Sequence, residues 1–130
     1  MNFVFGGRFQ GKLEYAKGLY GRGLTVADLR DYNDCNYVKA AEDADILVNL
    51  HEAIKTLIIK GESPWDYFNA NIESFRGNVL IGDEIGCGIV PIDPILRDWR
   101  DETGRIYQLI ASKAERVDRV WAGIGQKVNE

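Results

Sequence analysis

A chain of 130 residues, with 45% hydrophobic and 28% charged side chains, has the composition of an ordinary globular domain and the length for one core. Its net charge of −4 argues against the basic surface that binding to nucleic acid or to an anionic membrane needs. No long apolar span, signal peptide or transit peptide is visible, and the two cysteines, Cys35 and Cys87, fit neither a disulfide framework nor a zinc site. We therefore expect a single domain over residues 1–130, with reduced thiols, in the cytoplasm.

The motif that says most about function lies near the N terminus, directly after the apolar run of residues 3–5. Gly6, Gly11 and Lys12 have the G-x-x-x-x-G-K spacing of a phosphate-binding loop. In such a loop the backbone N–H groups turn towards a phosphate, the next helix presents its positive end, and the lysine reaches the β- and γ-phosphates. The predicted nucleotide-binding residues are Gly6, Gly7, Arg8, Phe9, Gln10, Gly11, Lys12 and Leu13.

Leu13 departs from this motif, because a Ser or Thr normally follows the lysine and its hydroxyl ligates Mg²⁺. ATP or GTP is the candidate ligand, held by Lys12 and the loop backbone, and we expect Mg²⁺ binding to be weak or absent. The alternative interpretation is a simple glycine turn between a strand and a helix, with Lys12 exposed to solvent.

Helix and strand signals alternate after the loop. The first helix is predicted to begin at Leu13 and to end at Gly18 or Gly21. Residues 24–26 are a candidate strand and residues 31–34 a turn. Further strands are expected at three apolar runs, residues 46–48, 79–81 and 117–122.

Helices are expected between these strands. Ser63-Pro64 and Asp93-Pro94 are helix start signals, because Ser and Asp cap the first turn and Pro fits the first helical position. The predicted helices span residues 51–60, residues 63–77 with Gly77 as the stop, and residue 93 to about residue 115. Strands that alternate with helices after a phosphate loop predict an α/β fold: a P-loop NTPase-like parallel sheet flanked by helices.

The C-terminal half carries a more distinctive pattern. Residues 84–91 read Glu-Ile-Gly-Cys-Gly-Ile-Val-Pro, and residues 99–108 read Trp-Arg-Asp-Glu-Thr-Gly-Arg-Ile-Tyr-Gln. This resembles the cobinamide kinase/cobinamide-phosphate guanylyltransferase family of cobalamin biosynthesis, which carries an E-V-G-x-G-I-V-P block and an F-R-D-x-x-G-R-x-N-Q helix. The matching positions are Glu84, Gly86, Gly88, Ile89, Val90, Pro91, Pro94, Arg97, Arg100, Asp101, Gly104, Arg105 and Gln108, with Ala122, Gly123 and Lys127 near the end.

The resemblance implies the P-loop nucleoside-triphosphatase fold, a nucleotide and a corrinoid as ligands, and a homo-oligomer. This sequence departs from the family's pattern in two places. Family members are longer in the region that corresponds to residues 21–45 and keep there the histidine that becomes guanylylated, whereas this segment contains no histidine. The single histidine, His51, is interpreted as a helix-start side chain satisfied by a neighbour or by water.

The second departure concerns the metal. The family has a strand-end Asp that serves Mg²⁺, and the corresponding residue here is Asn49. Leu13 and Asn49 together remove a hydroxyl and a carboxylate from the same expected site. We therefore predict no metal site at these two degenerate positions, the alternative being a site rebuilt with Glu52 or Glu84.

Lys12 and Glu84 are the candidate catalytic residues. Glu84 follows a predicted parallel strand at its carboxyl end, where such folds bind ligands, and it could accept a proton from a substrate hydroxyl as a general base. The alternative for Glu84 is an ion pair with a nearby basic side chain or a capping role for backbone N–H groups.

The sequence indicates a divergent nucleotide-binding protein and leaves three functions open. The first is a shortened kinase of the cobinamide type, without guanylyl transfer. The second is a noncatalytic relative that binds a nucleotide or a corrinoid, or serves as an assembly partner. The third is a small P-loop kinase that acts on another alcohol. The expected partners are a nucleotide, a corrinoid and further copies of the chain, with no nucleic acid and no membrane.

The absence of a histidine from residues 21–45 predicts that the protein forms no guanylylated histidine. Incubation with labelled GTP and a cobinamide phosphate should leave the protein unlabelled, while a bifunctional family enzyme, run in parallel, takes up label. Acid-labile label that maps to His51 would overturn this prediction.

Overall fold

The apolar runs of the sequence lie side by side in one six-stranded sheet. The structure is a computed structural model and describes residues 1–85 and 93–129. The spatial order of the strands is β2-β3-β4-β1-β5-β6, and all neighbours are parallel except β5 and β6, which form an antiparallel hairpin. The strands are β1 (Asn2–Gly6), β2 (Val26–Asp28), β3 (Ile46–Val48), β4 (Val79–Asp83), β5 (Arg116–Trp121) and β6 (Ile124–Lys127).

Helices cover both faces of this sheet. Alternate residues of the strands point to opposite sides, so that Phe3 and Leu80 join the larger apolar cluster while Val4 and Ile81 join the smaller one. The first helix packs on the smaller cluster through Ala16, and the other helices pack on the larger one. The helices of the described residues are α1 (Lys12–Tyr20), α2 (Tyr37–Asp43), α3 (Leu50–Ile59), α4 (Pro64–Asn71) and α5 (Pro94–Lys113), with 3₁₀ turns at Leu29–Asp31 and Ile72–Phe75.

This architecture confirms the predicted α/β fold, a mostly parallel P-loop NTPase-like sheet between helices. The predicted helix starts are also present: the Ser63 hydroxyl accepts a hydrogen bond from the Asp66 N–H, and the Asp93 carboxylate accepts one from the Ile95 N–H. Both helices therefore begin where the Ser-Pro and Asp-Pro pairs place them.

Two expectations differ from the structure, and two elements were missed. The early strand is Val26–Asp28 rather than residues 24–26, and α4 ends at Asn71 because a 3₁₀ turn occupies Ile72–Phe75, so Gly77 does not end an α-helix. Helix α2 and strand β6 were not predicted. Each is short, with seven and four residues, and short elements carry too little periodicity to be recognised from sequence alone.

Part of the family-like pattern lies outside the described residues, namely Gly86, Gly88, Ile89, Val90 and Pro91, and so does Cys87. Cys35 lies within them and is a buried free thiol. Across residues 1–85 and 93–129, no helix combines the length and the apolar character that crossing a membrane requires.

Gly6 ends the central strand at the point where three strands meet. It pairs with Asp83 of β4 on one side and with Val120 of β5 on the other. A methyl group on Gly6 would overlap the backbone carbonyl oxygen of Val120, which has no freedom to move aside within the sheet. The first glycine of the loop motif is therefore required by strand packing, before any ligand is considered.

We predict that Gly6→Ala destabilises the protein by at least about 2 kcal/mol, because the added methyl group overpacks the sheet. Gly104→Ala is the matched control: Gly104 is an exposed residue within α5, and a methyl group there meets nothing. This control should stabilise the protein by about 0.5–1 kcal/mol through helix propensity. Urea unfolding of both variants tests the pair, and equal effects of the two substitutions would contradict the packing argument.

Candidate functional site

The predicted phosphate loop bounds an open cleft at the carboxyl ends of the parallel strands. Residues 7–11 connect β1 to α1, with Phe9 and Gly11 in the left-handed region at φ 59° and 85°. The cleft has a volume of about 560 Å³, and its far side is formed by residues that follow β2, β3 and β4. The lining of this cleft includes Arg8, Gln10, Lys12, Leu13, Glu14, Arg30, Asn49, His51, Glu52, Asp83, Glu84 and Trp99.

The hairpin of β5 and β6 holds the loop from behind. The side-chain oxygen of Gln10 accepts a hydrogen bond of 2.5 Å from the Ala122 N–H, and the Gln10 backbone oxygen accepts one of 2.8 Å from the Gly123 N–H. Ala122 and Gly123 form the tight hairpin turn, with φ 51° and 76°. The family-like Ala-Gly pair therefore has a defined structural task, which is to position the phosphate loop.

A second anchor ties the same hairpin to helix α1. The Tyr15 hydroxyl donates a hydrogen bond of 2.5 Å to the fully buried carboxylate of Asp118, which also forms an ion pair with Arg116 at 2.8 Å. Burial opposes ionisation of Asp118, but the hydrogen bonds from Arg116 and Tyr15 outweigh it, so the pKa of Asp118 is lowered. The start of α1 is thus fixed by a charged, hydrogen-bonded group rather than by apolar packing alone.

Lys12 is buried rather than solvated, with 8% of its side chain exposed. Its ammonium group donates a hydrogen bond of 2.8 Å to the Gly7 carbonyl oxygen and lies 2.7 Å from Oδ1 of Asp83. The lysine side chain thus folds back against its own loop, and the alternative of a solvated Lys12 in a plain glycine turn does not describe the structure. Its acidic partner, Asp83, is a residue that the sequence analysis did not select.

His51 holds Asp83 from the other side. The Asp83 N–H donates a hydrogen bond of 3.0 Å to Nδ1 of His51, which places the imidazole proton on Nε2. This Nε2 lies 3.3 Å from Oδ2 of Asp83, and the side chain of His51 is 7% exposed. Burial lowers the pKa of His51, although the Asp83 and Glu52 carboxylates act in the opposite direction. The expectation of a helix-start histidine satisfied by a neighbour agrees with this geometry.

Asn49 lies beside the carboxylate of Asp28. Its side-chain amide donates a hydrogen bond of 3.0 Å to Asp28, which also pairs with Arg30 at 2.7 Å. Burial opposes ionisation of Asp28, but the hydrogen bonds from Arg30 and Asn49 outweigh it, so the pKa of Asp28 is lowered. An amide fits this position because it donates to Asp28, whereas a carboxylate would repel it.

The residues present do not fit the usual magnesium site of a phosphate loop. Leu13 has no oxygen to offer and packs against the smaller apolar cluster. Asn49 offers an amide instead of a carboxylate, with its nitrogen bound to Asp28, and the Asp83 carboxylate is engaged by Lys12 and His51. Among residues 1–85 and 93–129, no group of three or more His, Cys, Asp or Glu side chains is arranged to hold a metal ion.

Glu84 lies in the cleft but has a basic partner. Its carboxylate pairs with Arg119 of β5 through contacts of 2.8 and 3.2 Å, and its N–H donates a hydrogen bond of 2.7 Å to the Gly6 carbonyl oxygen. The structure therefore places Glu84 at the carboxyl end of β4, as predicted, and shows the ion pair that was the alternative interpretation. A role as general base requires that a substrate compete with Arg119.

Lys12 and Glu84 both line the cleft, together with residues 8–13 of the predicted loop, whereas Gly6 and Gly7 are not among its lining residues. The sequence analysis missed Asp83, Arg30, Trp99 and the buried position of His51 among the residues that shape the site. Asp83 carried a usable signal, because it lies two positions after the apolar run of residues 79–81, at the carboxyl end of a strand, where parallel sheets bind ligands. Arg30 carried none, since it comes from a poorly patterned segment. Trp99, in the second turn of α5, was noted only as the start of the family-like helix pattern.

A loop of phosphate-loop spacing at the carboxyl edge of a mostly parallel sheet, with a buried lysine and helices on both faces, defines a P-loop NTPase-like α/β domain. Residues 46–128 match the sequence profile of the family described as cobinamide kinase / cobinamide phosphate guanyltransferase. The matched segment is well over half of the chain, and the chain belongs to this family.

Curated relatives agree with this assignment. The bifunctional adenosylcobalamin biosynthesis protein CobU of Escherichia coli K12 is 36% identical over 83 residues, which cover 53% of this chain and 46% of that protein. CobU of Salmonella typhimurium LT2 is 44% identical over 50 residues, covering 38% and 28% of the two chains. CobP of Pseudomonas aeruginosa PAO1 is 39% identical over 46 residues, covering 35% and 27%. The matched segments thus span less than half the length of these relatives.

We predict that Asn49→Asp destabilises the protein by about 1–2 kcal/mol at pH 7, because it replaces a hydrogen bond to Asp28 with two facing carboxylates. The destabilisation should shrink as the pH falls, because protonation of either carboxylate removes the repulsion. Chemical unfolding at several pH values measures it. The double variant Asp28→Asn/Asn49→Asp exchanges the two groups and should recover most of the loss. Full stability of Asn49→Asp would show that the Asn49–Asp28 contact contributes nothing.

Proposed function

We propose that the protein binds the polyphosphate of a purine nucleotide, ATP or GTP, in the cleft beside the loop of Gly6 to Leu13. The observation that carries this proposal is the position of Lys12, which is buried against its own loop with its ammonium group at the carboxyl edge of the sheet. The phosphate would be held by Lys12, by the loop N–H groups and by the N terminus of α1. A cleft of about 560 Å³ is large enough for a nucleotide.

We place this binding in cobalamin biosynthesis, with a corrinoid as the second ligand, because the family and the curated relatives carry that function in their descriptions. Two groups support a kinase-type reaction at the same cleft: Lys12 for the transferred phosphate and Glu84 for the acceptor hydroxyl. Cytoplasmic location and self-association are further proposals; they rest on the composition and on the resemblance.

A noncatalytic nucleotide- or corrinoid-binding protein, or an assembly partner, is the second candidate. It is favoured by the chemistry at Leu13 and Asn49, neither of which offers a metal an anionic or hydroxyl oxygen. The Arg119 side chain that pairs with Glu84 also has to be displaced before Glu84 can act as a base. In this version the cleft recognises its ligands without transferring phosphate.

A small kinase for another alcohol would use the same Lys12 and Glu84, and differs only in the acceptor.

We predict that ATP or GTP binds through Lys12 and that affinity changes little when Mg²⁺ is replaced by EDTA. Calorimetric titration of each nucleotide, with and without Mg²⁺, measures both effects. Lys12→Ala should abolish binding, whereas Lys17→Ala, which removes the same charge from the same helix outside the cleft, should not. Unfolding curves of both variants show whether the loss of binding occurs in a folded protein.

Leu13→Ser combined with Asn49→Asp should raise the dependence of binding on Mg²⁺, because it restores a hydroxyl and a carboxylate to the family's metal positions. Brisk Mg²⁺-dependent hydrolysis of ATP or GTP by the unaltered protein would contradict this account. It would mean that other carboxylates of the cleft, such as Glu52 or Glu84, hold the metal.

A further inference from the structure

We propose that the Asp83 carboxylate gates the phosphate loop, so that a polyphosphate ligand is bound only when it draws Lys12 away from this carboxylate. The inference rests on the proposed function, because it takes the loop to be a phosphate site. It goes beyond that function because it assigns a specificity-determining role to a residue outside the G-x-x-x-x-G-K motif.

The first observation is that the positive charge of Lys12 is already paired with a carboxylate. Its ammonium group contacts the Gly7 carbonyl oxygen at 2.8 Å and the Asp83 carboxylate at 2.7 Å, with 8% of the side chain exposed. The positive charge is thus neutralised at contact distance and in a poorly hydrated place, where ion pairs are strong. A phosphate that approaches Lys12 competes with a carboxylate that is already bound.

The second observation is that Asp83 is held independently of Lys12. Its N–H donates a hydrogen bond to Nδ1 of His51, and its carbonyl oxygen accepts one of 2.7 Å from the Tyr107 hydroxyl. Its second carboxylate oxygen lies 3.3 Å from Nε2 of His51. The carboxylate therefore keeps its position when Lys12 turns away, and it stays in the cleft as a fixed negative charge.

The third observation concerns the balance of charge around the loop. A phosphate on Lys12 would lie close to the Asp83 carboxylate, and like charges in a half-buried cleft repel strongly. Among the described residues, four acidic side chains line this cleft, Glu14, Glu52, Asp83 and Glu84, against the three basic ones, Arg8, Lys12 and Arg30. Of the four acidic groups, Asp83 is the one in direct contact with Lys12.

The test is calorimetric titration with inorganic tripolyphosphate in EDTA, since this probe has phosphates but neither base nor sugar. Asp83→Asn keeps the shape of the side chain, an oxygen for His51 and the backbone contacts, and removes only the competing charge. We expect it to bind tripolyphosphate on the order of tenfold more tightly than the unaltered protein. ATP in EDTA should gain by a similar factor, because the gate acts on the phosphates.

Glu14→Gln is the matched control. It removes a negative charge from the same cleft, but from an exposed residue that pairs with Arg22 rather than with Lys12. Its affinity for tripolyphosphate should stay close to that of the unaltered protein. An equal gain in Glu14→Gln and Asp83→Asn would mean that the total charge of the cleft matters and that Asp83 is no gate.

A second measurement needs no variant and covers the case in which Asp83→Asn folds poorly. During titration of the unaltered protein with tripolyphosphate, the ¹³C signal of the Asp83 carboxyl group should shift together with the side-chain signals of Lys12. Two results would contradict the gate and leave the proposed function intact. One is binding without a shift at Asp83, and the other is an affinity of Asp83→Asn equal to or weaker than that of the unaltered protein. Failure of both the unaltered protein and Asp83→Asn to bind tripolyphosphate or nucleotide would contradict the proposed function itself.

Discussion

The buried ion pair between Lys12 and Asp83 is the interaction on which the arrangement of the site depends. The two groups are 2.7 Å apart, with 8% and 19% of their side chains exposed. Removal of one partner from such a pair leaves an uncompensated charge and costs about 3–5 kcal/mol, so the pair constrains both the loop and the end of β4. Any ligand that uses Lys12 must supply a replacement for Asp83, which makes phosphate, with its dense negative charge, the natural competitor.

The rest of the fold serves to place these two residues. Gly6 allows β1 to pass close to Val120, and the hairpin turn at Ala122 and Gly123 accepts the side chain and backbone of Gln10. On the other side His51 fixes the carboxylate of Asp83, while the Trp99 indole donates a hydrogen bond of 2.7 Å to the His51 carbonyl oxygen. Helix α5 is thereby tied to the same network as the phosphate loop.

Much of this could be predicted from sequence, because the signals were strong where the structure is regular. Continuous apolar runs predicted the parallel strands, and the glycine-lysine spacing predicted the loop and its lysine. The Lys12–Asp83 pair could not be predicted, because it joins residues 71 positions apart through the strand order, which periodicity does not reveal. The Asn49–Asp28 contact was missed for the same reason. Asn49 looked like the loss of a metal ligand, whereas the structure shows an amide that serves a neighbouring carboxylate.

The most direct test of the account is a crystal structure of the protein with a non-hydrolysable ATP or GTP analogue. The account predicts the β- and γ-phosphates within the loop of Gly6 to Lys12, with the Lys12 ammonium group moved from Asp83 to a phosphate oxygen and Asp83 still held by His51. Phosphates bound elsewhere, or bound in the loop while Lys12 keeps its contact with Asp83, would contradict it.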